Sequence, residues 1–277
     1  MKLPRGGFFF RFLDIVGNST GSVVVIDAYF DESERSGGVL CIAGYAFAHP
    51  QAKKFSREWS RLFEPFGGCH MNGLVHRRER FKGVTPQQRD HLLREAVRII
   101  NERITAGAAV SCSRAEVAAL SPKWIRGFKS PYSVCCHWGM TALEVALRNV
   151  GVMAPIAYVF EKGHPDEAEA RDVVKQASLS PELRAIYRYH SDAFIPKSDA
   201  VPLQAADVLA WEWAKFYDET LEQGLRPIRQ SLRALFAHDP KRYQLSHLSG
   251  ESLVRAMEKY ACLGYEAIGR RVPRKSS

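Results

Sequence analysis

Val23-Val24-Val25-Ile26-Asp27-Ala28-Tyr29-Phe30-Asp31 is the stretch that decides the fold. β-branched and aromatic side chains dominate it, so it reads as a strand. It is apolar almost throughout, which places it at the centre of a sheet with both faces covered. Residues 32–38 are polar and carry Gly37 and Gly38, and Val39 to Phe47 is a second strand-like run. The two runs predict an antiparallel hairpin. Downstream, Pro50 suits a helix start and Phe55, Trp59, Leu62 and Phe63 recur at helical spacing. Residues 67–83 have no period and contain Arg77, Arg78, Arg80 and Lys82, so they read as a basic loop or an irregular insertion.

Thr85-Pro86-Gln87-Gln88 is a capping box, with Thr85 as N-cap and Gln88 at the third helical position. The apolar face continues through Leu92, Leu93, Ala96, Ile99, Ile100 and Ile104, and a small-residue strand from Ala106 to Cys112 follows. Ser130-Pro131 opens a helix that runs to Asn149, before Gly151. Pro155 to Phe160 is a short buried strand ending at Glu161, and Pro165 to Ala177 an amphipathic helix with acidic residues in its first turn. Ala185 to His190 looks strand-like, Pro202 to Glu222 is the strongest helix, and Pro227 to Ala237 and Ser252 to Leu263 are two more. The order predicts an α/β mixed sheet: antiparallel opening strands, then alternating helices and strands. We divide the chain into an N-terminal arm (1–22), one domain (23–223) with a helical insertion at about 48–104, and a C-terminal helical extension with a basic tail, Arg270 to Lys275 (224–277).

With 277 residues, 46% hydrophobic and 25% charged, the composition is that of a globular chain with a substantial core. The formal charge of +9 suits a polyanionic partner if it gathers on one face. Six cysteines without a C-x-x-C pair fit neither a disulfide framework nor a zinc ribbon. Arg11 and Asp14 interrupt the apolar run Phe8 to Val16, so neither a signal peptide nor a membrane span is expected, and the expected location is the cytoplasm. Cys135-Cys136-His137 is read as buried packing, because successive helical residues point about 100° apart. No P-loop, G-x-G-x-x-G or G-x-S-x-G occurs.

Three carboxylates sit where propensity does not explain them. Asp31 follows the first strand, Glu161 ends the Pro155–Phe160 strand, and Asp207 lies in the apolar run Pro202 to Trp211. Crevices in α/β sheets form beyond strand ends, so the two strand-end acids can meet there, with a helix supplying the third. Gathered acids repel one another, and a divalent cation relieves them; all-oxygen ligation suits Mg2+ or Mn2+. Such ions serve phosphodiester hydrolysis. Each acid also has a plainer reading: Asp31-Glu32-Ser33 as a polar turn, Glu161 as a solvated turn, and Asp207 as the partner of a core arginine.

Tyr29-Phe30-Asp31-Glu32-Ser33, Cys69-His70-Met71, Phe160-Glu161-Lys162-Gly163, and Pro196-Lys197-Ser198-Asp199 leading into Gln204-Ala205-Ala206-Asp207 are short, ordered and well spaced. From about Val23 to Trp213 the chain resembles the domain-of-unknown-function family 3800. Glu34 stands where that family usually has a glycine. The resemblance implies a ribonuclease-H-like fold and, by analogy, a metal-dependent nuclease acting on DNA or RNA. Asp31, Glu161 and Asp207 would be its acids, with Glu32, His70, Lys197 and Asp199 beside them. His70 would assist proton transfer and Lys197 neutralise developing charge. Ribonuclease-H-like enzymes often draw a further carboxylate from the first helix after the antiparallel strands, which makes Glu144 a candidate fourth ligand, with pairing to Arg148 as its alternative. The rival reading is a non-catalytic nucleic-acid- or protein-binding module of a mobile-element or phage-defence system.

Overall fold

The computed structural model describes residues 24–120, 130–224 and 227–260; the N-terminal arm and the basic tail lie outside them. The opening run forms β1 (Ile26–Glu34), which turns at residues 35–38 into β2 (Val39–Ala48). Asp31 and Glu32 are therefore strand residues rather than part of a hairpin turn: the antiparallel register continues through Asp31↔Ala43 and Glu32↔Ile42 to Glu34↔Leu40. Three helical segments follow: α1 (His49–Phe63), the short α2 (Met71–His76) and α3 (Pro86–Arg103). The Thr85/Gln88 capping box forms as the sequence predicts. α2 corrects the expected basic loop.

β3 (Ala106–Ser113) returns antiparallel to β2, and the chain passes through α4 (Arg114–Leu120) and α5 (Pro131–Asn149) to β4 (Ile156–Glu161). β4 pairs parallel with β1 on its other side. Then come α6 (Glu167–Leu179), α7 (Pro181–Ile186), β5 (Tyr189–Ile195) parallel to β4, and the long α8 (Leu203–Gln223). The strand expected at Ala185–His190 is corrected: Ser180 caps a helix opened by Pro181, and pairing begins only at Tyr189. The segment after Gly224 is not purely helical either. Between α9 (Gln230–Ala237) and α10 (Gly250–Tyr260), β6 (Tyr243–Leu248) adds to β3 in parallel. The sheet order is β5-β4-β1-β2-β3-β6.

Side chains alternate across β1, so Ala28 and Phe30 face one layer and Tyr29 and Asp31 the other. The Phe30 layer holds α5 and α6, and the Tyr29 layer holds α1, α3 and α8. Burial on both faces explains why the opening run is apolar throughout. No helix among the described residues is long and apolar enough to cross a membrane.

Phe30 stacks on Phe160 with ring centroids 5.2 Å apart, and its ring lies flat against Gly44 of β2. A Cβ at Gly44 would come 2.6 Å from Phe30 Cδ1. The Gly44→Ala variant is expected to lose about 1–3 kcal/mol by overpacking, read as a lower urea midpoint at unchanged slope.

Candidate metal centre

β1, β4 and β5 run parallel, so their C-terminal ends lie at one edge of the sheet. Phe30 pairs with Phe160, which brings Asp31 and Glu161, one residue further on, side by side. Glu161 pairs with Ile195, two residues before Lys197. The chain order reverses between β1 and β4, and such switch points open a crevice in α/β sheets. α8 packs across β1 and β2 on the Asp31 face and delivers Asp207.

The acids meet around one ammonium. Lys197 Nζ lies 2.7 Å from Asp31 Oδ2, 3.0 Å from Glu161 Oε2 and 3.7 Å from Asp207 Oδ2. Glu32 joins from the next position of β1: Asp31, Glu32 and Glu161 each offer an oxygen within 4.8 Å of the others, a cluster that could hold a metal ion. Asp31 is buried, its Oδ1 accepts the Glu32 amide at 2.8 Å, and its Oδ2 receives no well-directed hydrogen bond. Its contact there is the Lys197 ammonium, and the all-oxygen donor set of Asp31, Glu32 and Glu161 suits a hard cation.

Full ionisation of the cluster is costly. Two unit charges 4.8 Å apart repel by about 3 kcal/mol at an effective dielectric of about 20, roughly two pK units' worth. The group therefore retains protons. Burial, followed by the hydrogen bond shared with Glu161, pushes Asp31 well above the usual carboxylate range despite Lys197. Burial and then the Glu161 charge push Glu32 up to about 7. Burial also raises Glu161, but the Asp31 hydrogen bond and the Lys197 ammonium outweigh it and hold Glu161 low. Asp31 and Glu161 thus titrate as one hydrogen-bonded pair. Burial opposes the charge on Lys197, yet Asp207, Asp31 and Glu161 together hold it protonated.

The first turns of α8 shape the rest. Gln204 Oε1 accepts from Trp59 Nε1 at 2.9 Å and from the Cys69 amide at 2.7 Å, and Asp207 Oδ2 accepts from the Met71 amide at 2.8 Å. Spaced i, i+3 on one helix face, these two side chains clamp the backbone on either side of His70. Gly68, at φ +119°, lies under the same amide; a Cβ there would sit 3.1 Å from Gln204 Nε2. His70 is left exposed, its Nδ1 3.9 Å from Glu79 Oε2, and lines both cavities that border the acids.

Of the residues singled out in the sequence, Asp31, Glu32, Glu161, Lys197 and Asp207 come together with His70 at their rim. Asp199 is exposed, accepts Ser198 Oγ and lines neither cavity. Glu144 is set apart and is corrected as a ligand. It lies 3.4 Å from Arg188 and 3.5 Å from Arg148. Arg188 also bonds Val152 O and Ala154 O, before β4 begins, so Glu144 stands near the start of β4 and Glu161 at its other end. Sequence reasoning missed the clamp formed by Gln204. Its spacing from Asp207 was the available signal. Cys135 and Cys136 are buried, as their packing role requires.

The raised Glu32 makes the fold pH-sensitive. Its carboxyl titrates near 4.5 in the unfolded chain and near 7 in the folded one, so the folded state binds the proton more tightly. That contribution is intact below pH 4.5 and is lost as pH rises through 7. In thermal melts without divalent ions, the melting temperature of Glu32→Gln relative to the parent should rise from pH 4.5 to 7 and then level off. A difference that stays flat from pH 4.5 to 8 contradicts this environment for Glu32.

No protein-family model matches the chain, and no curated protein matches it significantly.

Proposed function

We propose that the protein is a metal-dependent nuclease that hydrolyses phosphodiester bonds of nucleic acid, built on a ribonuclease-H-like sheet and related to the domain-of-unknown-function family 3800. One observation carries the reading: carboxylates from three separate elements converge on a single ammonium and leave a buried, poorly satisfied oxygen on Asp31. The antiparallel opening strands followed by parallel β4 and β5 suit that fold.

Asp31, Glu32 and Glu161 would hold the ion, with Asp207 at their side. When bound, Mg2+ or Mn2+ supplies Lewis acidity at a phosphoryl oxygen and neutralises charge that the carboxylates would otherwise repel. The protein's own groups do the remainder. Lys197 places a fixed positive charge where a phosphoryl oxygen gains negative charge. His70, exposed and lining both cavities, would give a proton to the leaving oxygen as the P–O bond breaks; the water that adds to phosphorus releases its proton to solvent, from which His70 is recharged. Asp207 and Gln204 hold the His70 loop in place.

A specific observation favours one competing reading: Lys197 already lies within 3.0 Å of two of the acids, as in a structural ion-pair network. Calorimetric titration separates the two. The nuclease reading expects Mn2+ to bind the parent protein, and Asp31→Asn to bind it at least about ten- to a hundredfold more weakly at unchanged circular dichroism. Mn2+-dependent cleavage of a labelled oligonucleotide should fall at least as far in the same variant. Absence of Mn2+ binding to the parent protein, or undiminished cleavage by Asp31→Asn, overturns the proposal.

A further inference from the structure

Two cavities share Glu161, His70 and Lys197 of the acidic centre, and along α8 Gln204 lines one while Trp211, two turns further on, lines the other, with Asp207 between them. One, of about 400 Å³, runs past Gly67, Gly68 and Arg80. The other, of about 520 Å³, runs past Arg35, Lys162 and Trp211. Both include Glu161, His70 and Lys197, and both are open to solvent. Each is of the size that holds a small-molecule ligand, so each accommodates a unit of a polymer rather than a long segment.

Each arm carries its own cation. In the smaller, Arg80 is anchored by a 2.7 Å bond from Nη1 to Gly67 O. In the larger, Arg35 is four-fifths covered, with Asp218 3.8 Å from its Nε, and that Nε is buried without a hydrogen bond. Lys162 lies exposed beside Gly163, whose φ of +123° and open surroundings leave room for close approach to the backbone. An enzyme that trims chain ends needs a wall with groups that recognise a terminus. Here each cavity carries cations beyond the shared centre, Arg80 in one and Arg35 and Lys162 in the other, as phosphates flanking a cut bond require.

We infer that the acidic centre lies midway along an open groove crossed by a nucleic acid strand, so that cleavage is internal. The inference rests on the nuclease reading and adds its mode of attack. The test is Mn2+-dependent digestion of covalently closed circular single-stranded DNA and circular RNA beside linear strands of the same sequence, labelled at either end. The expected result is opening of at least one kind of circle, at a rate within about threefold of the first cut in its linear counterpart. Stepwise shortening of linear strands with intact circles overturns this inference and leaves the nuclease reading standing. Cleavage of neither form overturns both.

Binding to the circles without metal gives a second readout. Lys162→Ala and Arg80→Ala, both exposed side chains and each with unchanged melting temperature, should weaken binding and lower the slope of log affinity against log salt by about 1. Arg80→Lys, which keeps the charge, should retain the slope. An effect confined to one of the two cations overturns the passage of the strand through both arms.

Discussion

The structure depends on an electrostatic imbalance at the C-terminal edge of its sheet. Asp31, Glu32, Glu161 and Asp207 gather around Lys197, and one ammonium cannot neutralise four carboxylates. Burial first, and the crowding of like charge second, push Asp31 and Glu32 above the usual carboxylate range, while the Asp31 hydrogen bond and Lys197 hold Glu161 low. Nothing in the packing of the sheet requires this. The apolar residues on either side of β1 would be served as well by a valine at position 31, and burying an ion pair rarely gains stability over such a replacement.

The fold nevertheless goes to some length to build the cluster. β1, like β3, has an antiparallel neighbour on one side and a parallel neighbour on the other, and the crevice forms on the parallel side of β1. Phe30 locks the register there: clamped between Gly44 and Phe160, it leaves Asp31 no freedom to slide along the strand. α8 supplies the other half of the constraint. Its Gln204 and Asp207 take up backbone N–H groups of residues 69 and 71 that no helix or strand satisfies, so the first turns of α8 act as a frame for the site.

How much of this could be read in the chain follows from how local each signal is. Long runs with a clear period were legible: β1 and β2 by their apolar continuity, α3 by its capping box, α5 by Ser130-Pro131. Short elements on the rim were not. β6 is six residues with Gln244, Ser246 and His247 half-buried, so it lacks an apolar signature and exists because β3 offers it an edge. Ala185-Ile186-Tyr187 has strand-like composition, but the Ser180 cap two turns earlier commits it to a helix and its end. Within the site, Asp31, Glu161 and Asp207 stood out as acids in apolar surroundings. Lys197 was suggested by resemblance alone, since its central position comes from pairing across three strands. Glu144 was misplaced because a position on α5 does not reveal which end of the neighbouring strand it faces.

A structural ion-pair network and a cation site make different demands on the same residues. A network evolved for stability should match charges, satisfy its oxygens and close itself off from water. This cluster does none of the three: its acids outnumber its base, Asp31 Oδ2 has no well-directed donor, and two open cavities meet over it. Lys197, one-fifth exposed on a flexible four-carbon stem, can hold the acids together while still yielding space to another cation. Strain of this kind persists where a site works on something outside the fold. The excess of acids over bases is the part of the structure that packing leaves unexplained, and it is what the proposed phosphodiester centre with a divalent ion would require.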